Sequence, residues 1–199
     1  MRNITIKNRS SLLIVASLFI VGCGETYAKS VTRISNLTNL SEINVTQQKF
    51  LNAINEARTI SRDCYPDDPF RGEMKVTHPL KWNAELYASA LEHSSDLAES
   101  DTFSHLGSGT ISDITGDGKK SRFNERIIAN GYANYYSVGE NIAGGQQELE
   151  EVMKAWLKSP KHCVNIMNDT FTEVGIAVVL NKDSTYGIYW TQNFGTKHK

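Results

Sequence analysis

Phe171-Thr172-Glu173-Val174-Gly175-Ile176-Ala177-Val178 is the stretch on which the fold class turns. Val174, Ile176 and Val178 recur at every second position, the period of a strand with one buried face. A polar loop at 181–185 follows. Ile188, Trp190 and Gln192 then resume the alternation, so the segment reads as an antiparallel hairpin.

Upstream the period lengthens to that of a helix. Phe50, Leu51, Ile54 and Ala57 form one face, with Thr46 placed to cap its start. Residues 62–78 read as a loop, punctuated by Pro66, Pro69 and Gly72. Leu80 and Trp82 lead to Asn83, a good N-cap for a second helix whose stripe runs Leu86, Ala90, Leu97. His93 lies on that stripe and reads as a core residue rather than a ligand. Residues 104–121 are rich in Gly and Ser, with a turn at Gly116-Asp117-Gly118. A short helix over 122–130 is closed by Gly131 at C′. Leu149, Val152, Met153 and Trp156 mark another amphipathic helix, stopped at Ser159-Pro160. Helices followed by a closing hairpin predict an α+β domain, with helices packed on an antiparallel sheet. The chain shows no internal repeat and no second hydrophobic core.

The N-terminus carries a different signal. Arg2, Lys7 and Arg9 precede an apolar run over 12–16 and 18–21. That run is too short for about 30 Å of hydrocarbon, which takes roughly 20 residues, but it has the length of a signal-peptide core. It ends at Ile20-Val21-Gly22-Cys23, similar to a bacterial lipobox, where Cys23 would be acylated. The alternative is soluble secretion with cleavage near Ala28. Two or three acyl chains on Cys23 would anchor the chain stably, since one alone is marginal. Gly24 stands where an Asp would signal inner-membrane retention, so the expectation leans to the outer membrane of a bacterial envelope. Residues 1–22 are thus expected as the export segment. Residues 23–45, rich in Ser, Thr and Asn, are expected as a flexible tether, and residues 46–199 as the folded domain.

Without the first 22 residues the chain carries 18 Lys+Arg (21 less 3) against 22 Asp+Glu, a net charge near −4. Such a balance offers no basic footprint and argues against nucleic acid as a partner. Cys64 and Cys163 remain, and an isolated pair in an oxidising compartment tends to bridge. The competing reading makes Cys163 a nucleophile beside His162, but adjacent residues on a helix point in different directions.

Five motifs now stand in order: Phe103-Ser104-His105; Gly139-Glu140-Asn141-Ile142-Ala143; Trp156 through Ser159-Pro160-Lys161-His162-Cys163-Val164-Asn165 to Met167; Phe171 to Gly175; and Tyr189-Trp190-Thr191-Gln192-Asn193-Phe194-Gly195. Together they resemble the bacterial branch of the CAP superfamily, the SCP-like extracellular domains, over roughly residues 48–196. The resemblance implies a three-layer α-β-α sandwich. It also implies a central cleft lined by two histidines and two glutamates that holds a divalent metal in some members. His105 matches the first histidine and Glu140 the first glutamate. The second glutamate would fall near Ser159 and the second histidine near Phe171 or Thr172, so both are missing. His162 and Glu173 are the substitutes available for the cleft.

His105 and Glu140 could offer Zn²⁺ an imidazole nitrogen and a carboxylate oxygen, but zinc normally takes three or four protein ligands, or three plus water. The alternative is a His–Glu hydrogen bond that orders the loop before the next helix. Asn141 is expected to fix that loop's backbone, and Trp156, Trp190 and Phe194 to belong to the core. The resulting expectation is a non-enzymatic, lipid-anchored envelope module that binds a hydrophobic ligand or a surface protein in its cleft and requires no cofactor. The alternative is a metal-assisted hydrolase in which His105 and Glu140 hold the ion and Glu173 or a second glutamate is the base. No serine stands in a Gly-x-Ser-x-Gly context, so a serine protease is set aside and no catalytic residue is assigned.

Overall fold

The computed structural model describes residues 40–68 and 70–198, with side chains from Thr46 onward. The expected export segment, Cys23 and residues 23–39 of the expected tether lie outside them. Five helices and four strands follow one another as α1 (Leu40–Arg58), β1 (Lys81–Trp82), α2 (Ala84–Ser100), α3 (Phe123–Ala129), β2 (Tyr135–Gly144), α4 (Leu149–Lys158), α5 (Pro160–Met167), β3 (Glu173–Leu180) and β4 (Ile188–Lys197). Among the described residues no helix is long and apolar enough to cross a membrane.

The strands form one sheet in the order β1-β3-β4-β2. The two-residue β1 runs parallel to β3, and the other pairings are antiparallel. The alternation expected in β3 and β4 is realised. Val174, Ile176, Trp190 and Phe194 enter the core beneath α1, α4 and α5 with Phe50, Ile54, Val152, Trp156 and Ile166. Val179 and Tyr189 turn the other way, against Leu97 and Ala98 of α2. Two helical layers therefore sandwich the sheet, the architecture the sequence implies. Gly175 makes the close packing of α2 possible, because a Cβ there would stand 2.1 Å from the backbone nitrogen of Tyr87.

Local signals explain most element ends. Asn83 caps α2 by accepting from the backbone N–H groups of Glu85 and Leu86. Gly131 follows α3 at φ +99°, and Pro160 occupies the first turn of α5. Two expectations need correction. Helix α1 starts at Leu40, so Thr46 lies inside it and is not its cap; residues 40–58 contain no Gly or Pro that would stop the helix earlier. The Gly139-Glu140-Asn141-Ile142-Ala143 motif is not a loop but the middle of strand β2. Gly139 and the polar pair after it hide the strand period, which cross-strand pairing with β4 imposes.

Helix α5 is held at both ends. Cys163 is bonded to Cys64, with Cα atoms 5.5 Å apart across 99 residues, as the cysteine count led one to expect. At the other end the fully buried Arg58 donates to the carbonyls of Ile166 (2.6 Å) and Asn168 (3.0 Å). It also donates to the carbonyl of His78 (2.8 Å). The first two lie at the C-terminus of α5, where a helix leaves carbonyls unpaired and a cation is favoured. Burial pulls the Arg58 pKa down to about 10, with Asp169 opposing.

Candidate functional site

Alternation along β2 sends Glu140 toward α2 and Asn141 to the opposite face. Glu140 pairs in register with Asn193 of β4, which reaches Ser89 of α2. Its carboxylate is buried at the centre of a polar network. Arg126 of α3, itself fully buried, donates from Nη2 to Oε2 at 2.9 Å and to Oε1 at 3.2 Å. His105 donates from Nδ1 to Oε1 at 2.9 Å, the carboxylate being able only to accept. His93 of α2 stands 3.8 Å from the same oxygen. With the Asn193 amide turned so that its neighbours are satisfied, its nitrogen donates to Oε2 at 3.3 Å and its oxygen accepts from Ser89 Oγ and Ala90 N.

Burial alone would raise the Glu140 pKa, but His105, His93 and Arg126 together hold it below the ordinary carboxylate range. Burial, helped by Arg126 and opposed by Glu140, pulls His93 down to about 4, so its ring is neutral. The whole network also fixes the backbone around His105. His93 Nε2 meets the carbonyl of Ser104 at 3.0 Å, and Arg126 Nη2 donates to the carbonyl of His105 at 3.0 Å. Beyond His105 the loop folds over Asp96, which accepts from Ser108 N, Ser108 Oγ and Ser112 Oγ. Asp113 accepts from Gly109 N and Ser121 N. The His105 side chain is 52% exposed.

His162 comes from α5, on the other side of the sheet. Burial and then the charge of His105 lower its pKa. Asn165 Nδ2 and Trp156 Nε1 cap the carbonyls of Glu140 (3.2 Å) and Ile142 (3.0 Å), which blunts the open edge of β2. Asn141 donates to the carbonyl of His162 and to Gln192 Oε1, a positioning role within a strand. The structure thus brings His105 and Glu140 together, whereas the bond at His162 runs from Asn141 to its backbone carbonyl. Glu173 is elsewhere, two strands across and two residues along. Its carboxylate is taken by Tyr132 Oη (2.7 Å) and Asn83 Nδ2 (3.0 Å).

Sequence reading left out Arg126 and read His93 as core alone. Arg126 had a signal, a charge on the face of a short helix that also carries Phe123 and Ile127. The donor set is a poor fit to a metal. Both Glu140 oxygens already accept hydrogen bonds, a guanidinium occupies the place of a cation, and a metal bound there would stand beside that charge. Among the described residues no three His, Cys, Asp or Glu side chains converge to hold an ion.

A concavity of about 1000 Å³ lies on the other side of the molecule, between α1 and α4. Ala53, Ile60, Leu149, Met153 and Leu157 line it together with charges of both signs, Lys49, Lys154, Lys158, Glu56, Glu148 and Glu150 among them.

A family model described as the Cysteine-rich secretory protein family, CAP, matches residues 51–194. The uncharacterized protein YkwD of Bacillus subtilis is 36% identical over 116 residues, 58% of this chain and 39% of that protein. The uncharacterized membrane protein YlbC of the same organism is 28% identical over 115 residues, 58% of this chain and 28% of its own length. The chain therefore spans about two fifths or less of these relatives. An extracellular protein containing a SCP domain from Bacillus anthracis shares the fold at 21% identity and a TM-score of 0.55, over 80% of this chain and 44% of that one. An outer surface protein from Borrelia burgdorferi does so at 18% identity and a TM-score of 0.55, over 80% of this chain and 95% of that one.

Proposed function

Since the chain belongs to the CAP, or cysteine-rich secretory protein, family, we propose that it is an exported binding module, held at a bacterial envelope by a lipid on Cys23, that performs no chemistry of its own. Its ligand is an elongated apolar molecule, or an apolar segment of a surface protein, seated between α1 and α4 rather than in the histidine-lined cleft. The observation that carries this reading is the concavity of about 1000 Å³ between α1 and α4, where Ala53, Ile60, Leu149 and Leu157 are exposed to a bound molecule among charged side chains of both signs. Gly24 after the cysteine favours the outer membrane, and the extracellular and outer-surface relatives of the same fold support export.

In this reading Glu140 is a structural anion. Arg126 supplies the charge that a metal would otherwise bring, and the network serves to hold α2, α3 and β2 together while presenting His105. The hydrolase alternative loses Glu173 as its base, because that carboxylate is bonded to Tyr132 and Asn83. The test is solvent extraction of the purified protein, followed by binding of a fluorescent long-chain fatty acid. An apolar molecule should be extracted, and Ile60→Lys, at a lining residue that is 54% exposed, should weaken rebinding while leaving the thermal midpoint within a few degrees. An empty extract together with no probe binding would end the proposal.

A further inference from the structure

Residues 104–121 are fastened over α2 without an apolar anchor. Of that loop only Gly107, Gly109, Asp113 and Ser121 are buried, whereas Leu106, Ile111 and Ile114 are 44%, 84% and 38% exposed. What holds the loop is polar. Asp96 takes Ser108 and Ser112, and Asp113 closes the loop on itself through the backbone of Gly109 and Ser121. Arg126 donates from Nη1 to the Ser121 carbonyl (3.2 Å) and hydroxyl (3.1 Å). A segment with so few buried apolar contacts opens locally at less cost than the rest of the fold. The polar groups beneath it are incompletely met. Both Glu92 oxygens, Asp113 Oδ1, His93 Nδ1 and Arg126 Nε are buried without a hydrogen-bond partner. The charges that face Glu92 are Asp96 on its own helix, Asp113 from the loop and Arg126 from α3, and the backbone of Ile114 turns toward it from above. An ionised Glu92 would thus be a third anion beside a single cation, in a place where neither of its oxygens is bonded.

We propose that residues 104–121 form a proton-held flap, closed over a neutral Glu92, which opens when that carboxyl ionises and so frees His105 from Glu140. Burial, with the two aspartates adding and Arg126 opposing, holds the Glu92 pKa at about 8 while the loop is closed. Opening returns the side chain to water and toward its ordinary value of 4.5. Closure is therefore favoured most below the open-state value and is lost as pH rises through the closed-state one. One proton is at stake, so the ratio of open to closed loop should grow about tenfold per pH unit across that window and level off above it.

The experiment is hydrogen exchange of the full chain followed by NMR from about pH 5.5 to about pH 7.5, each rate divided by the intrinsic rate at the same pH. Protection at the Ser108, Gly109 and Ser121 amides should lie below that of β4 and fall about tenfold per pH unit, and Glu92→Gln should remove that slope. The Glu92 carboxyl resonance of the wild type, a reading that needs no variant, should still be that of the acid at about pH 6.5. A carboxylate resonance there, a wild-type protection that does not change with pH, or a slope that survives Glu92→Gln would each overturn the proton's role. Loop amides as well protected as those of β4 would mean that the segment opens only with the whole fold, and the flap would be overturned.

Discussion

Glu92 carries an unbalanced cost at the scale of the residue. Both of its carboxylate oxygens are buried without a hydrogen-bond partner, close to Asp96, Asp113 and Arg126. Burial raises its pKa to about 8, with Arg126 opposing and the two aspartates adding to the rise. A carboxyl raised in the folded state favours folding most when it is protonated. Its contribution is therefore complete below the unfolded value near 4.5 and is lost as pH rises to about 8, at roughly 1.4 kcal/mol per pH unit. Glu92→Gln should flatten that decline, which thermal melts across the window will read. A variant that melts with the wild-type pH slope would show that Glu92 is hydrated in solution. Arg126 is the counterpart. Arg126→Met leaves a buried carboxylate without its main partner and should cost about 3–5 kcal/mol. If Arg126 stands in a metal's place, wild-type protein titrated with Zn²⁺ in a calorimeter shows no stoichiometric binding at neutral pH; one tight equivalent would refute that role.

Elements are where the disulfide acts. It ties α5 to the loop after α1, and α5 brings Asn165 to the edge of β2. Closing 99 residues is worth about 4–5 kcal/mol in the chain-entropy picture. Cys64→Ser should lower the unfolding free energy by an amount of that order, and with it the midpoint, and leave Cys163 reactive to a thiol probe after partial denaturation. An unchanged midpoint would mean that Arg58 alone secures the helix. Sequence reading found the ends of α2, α3 and α4 because caps, Gly131 and Pro160 act locally. It placed the start of α1 too late by taking one good capping residue as decisive, although helices continue past threonine when nothing stops them. It missed β2 as a strand, because the period there is broken by Gly139 and by polar residues that pairing with β4 makes tolerable.

For the whole molecule, β4 is the strand on which both layers depend, since it pairs with β3 on one side and β2 on the other. Its outward residues alternate between the two cores. Hydrogen exchange should therefore be slowest in β4, whereas β2, capped at its open edge only by side chains, should exchange sooner. Equal protection of the two strands would argue that the sandwich opens only as a unit.

Periodicity, caps and cysteine count were enough to determine the α+β class, the helix-then-hairpin order and the Cys64–Cys163 bond, because each depends on neighbours along the chain or on the chemistry of the residue type. The five motifs likewise fixed His105 and Glu140 as partners. Tertiary structure alone decided what surrounds them: that Arg126 and His93 complete the network, and that Glu173 is bonded elsewhere. Those contacts join residues from separate elements, and the energy of a buried charge is set by whichever groups the packing of the sheet and helices brings within a few ångströms.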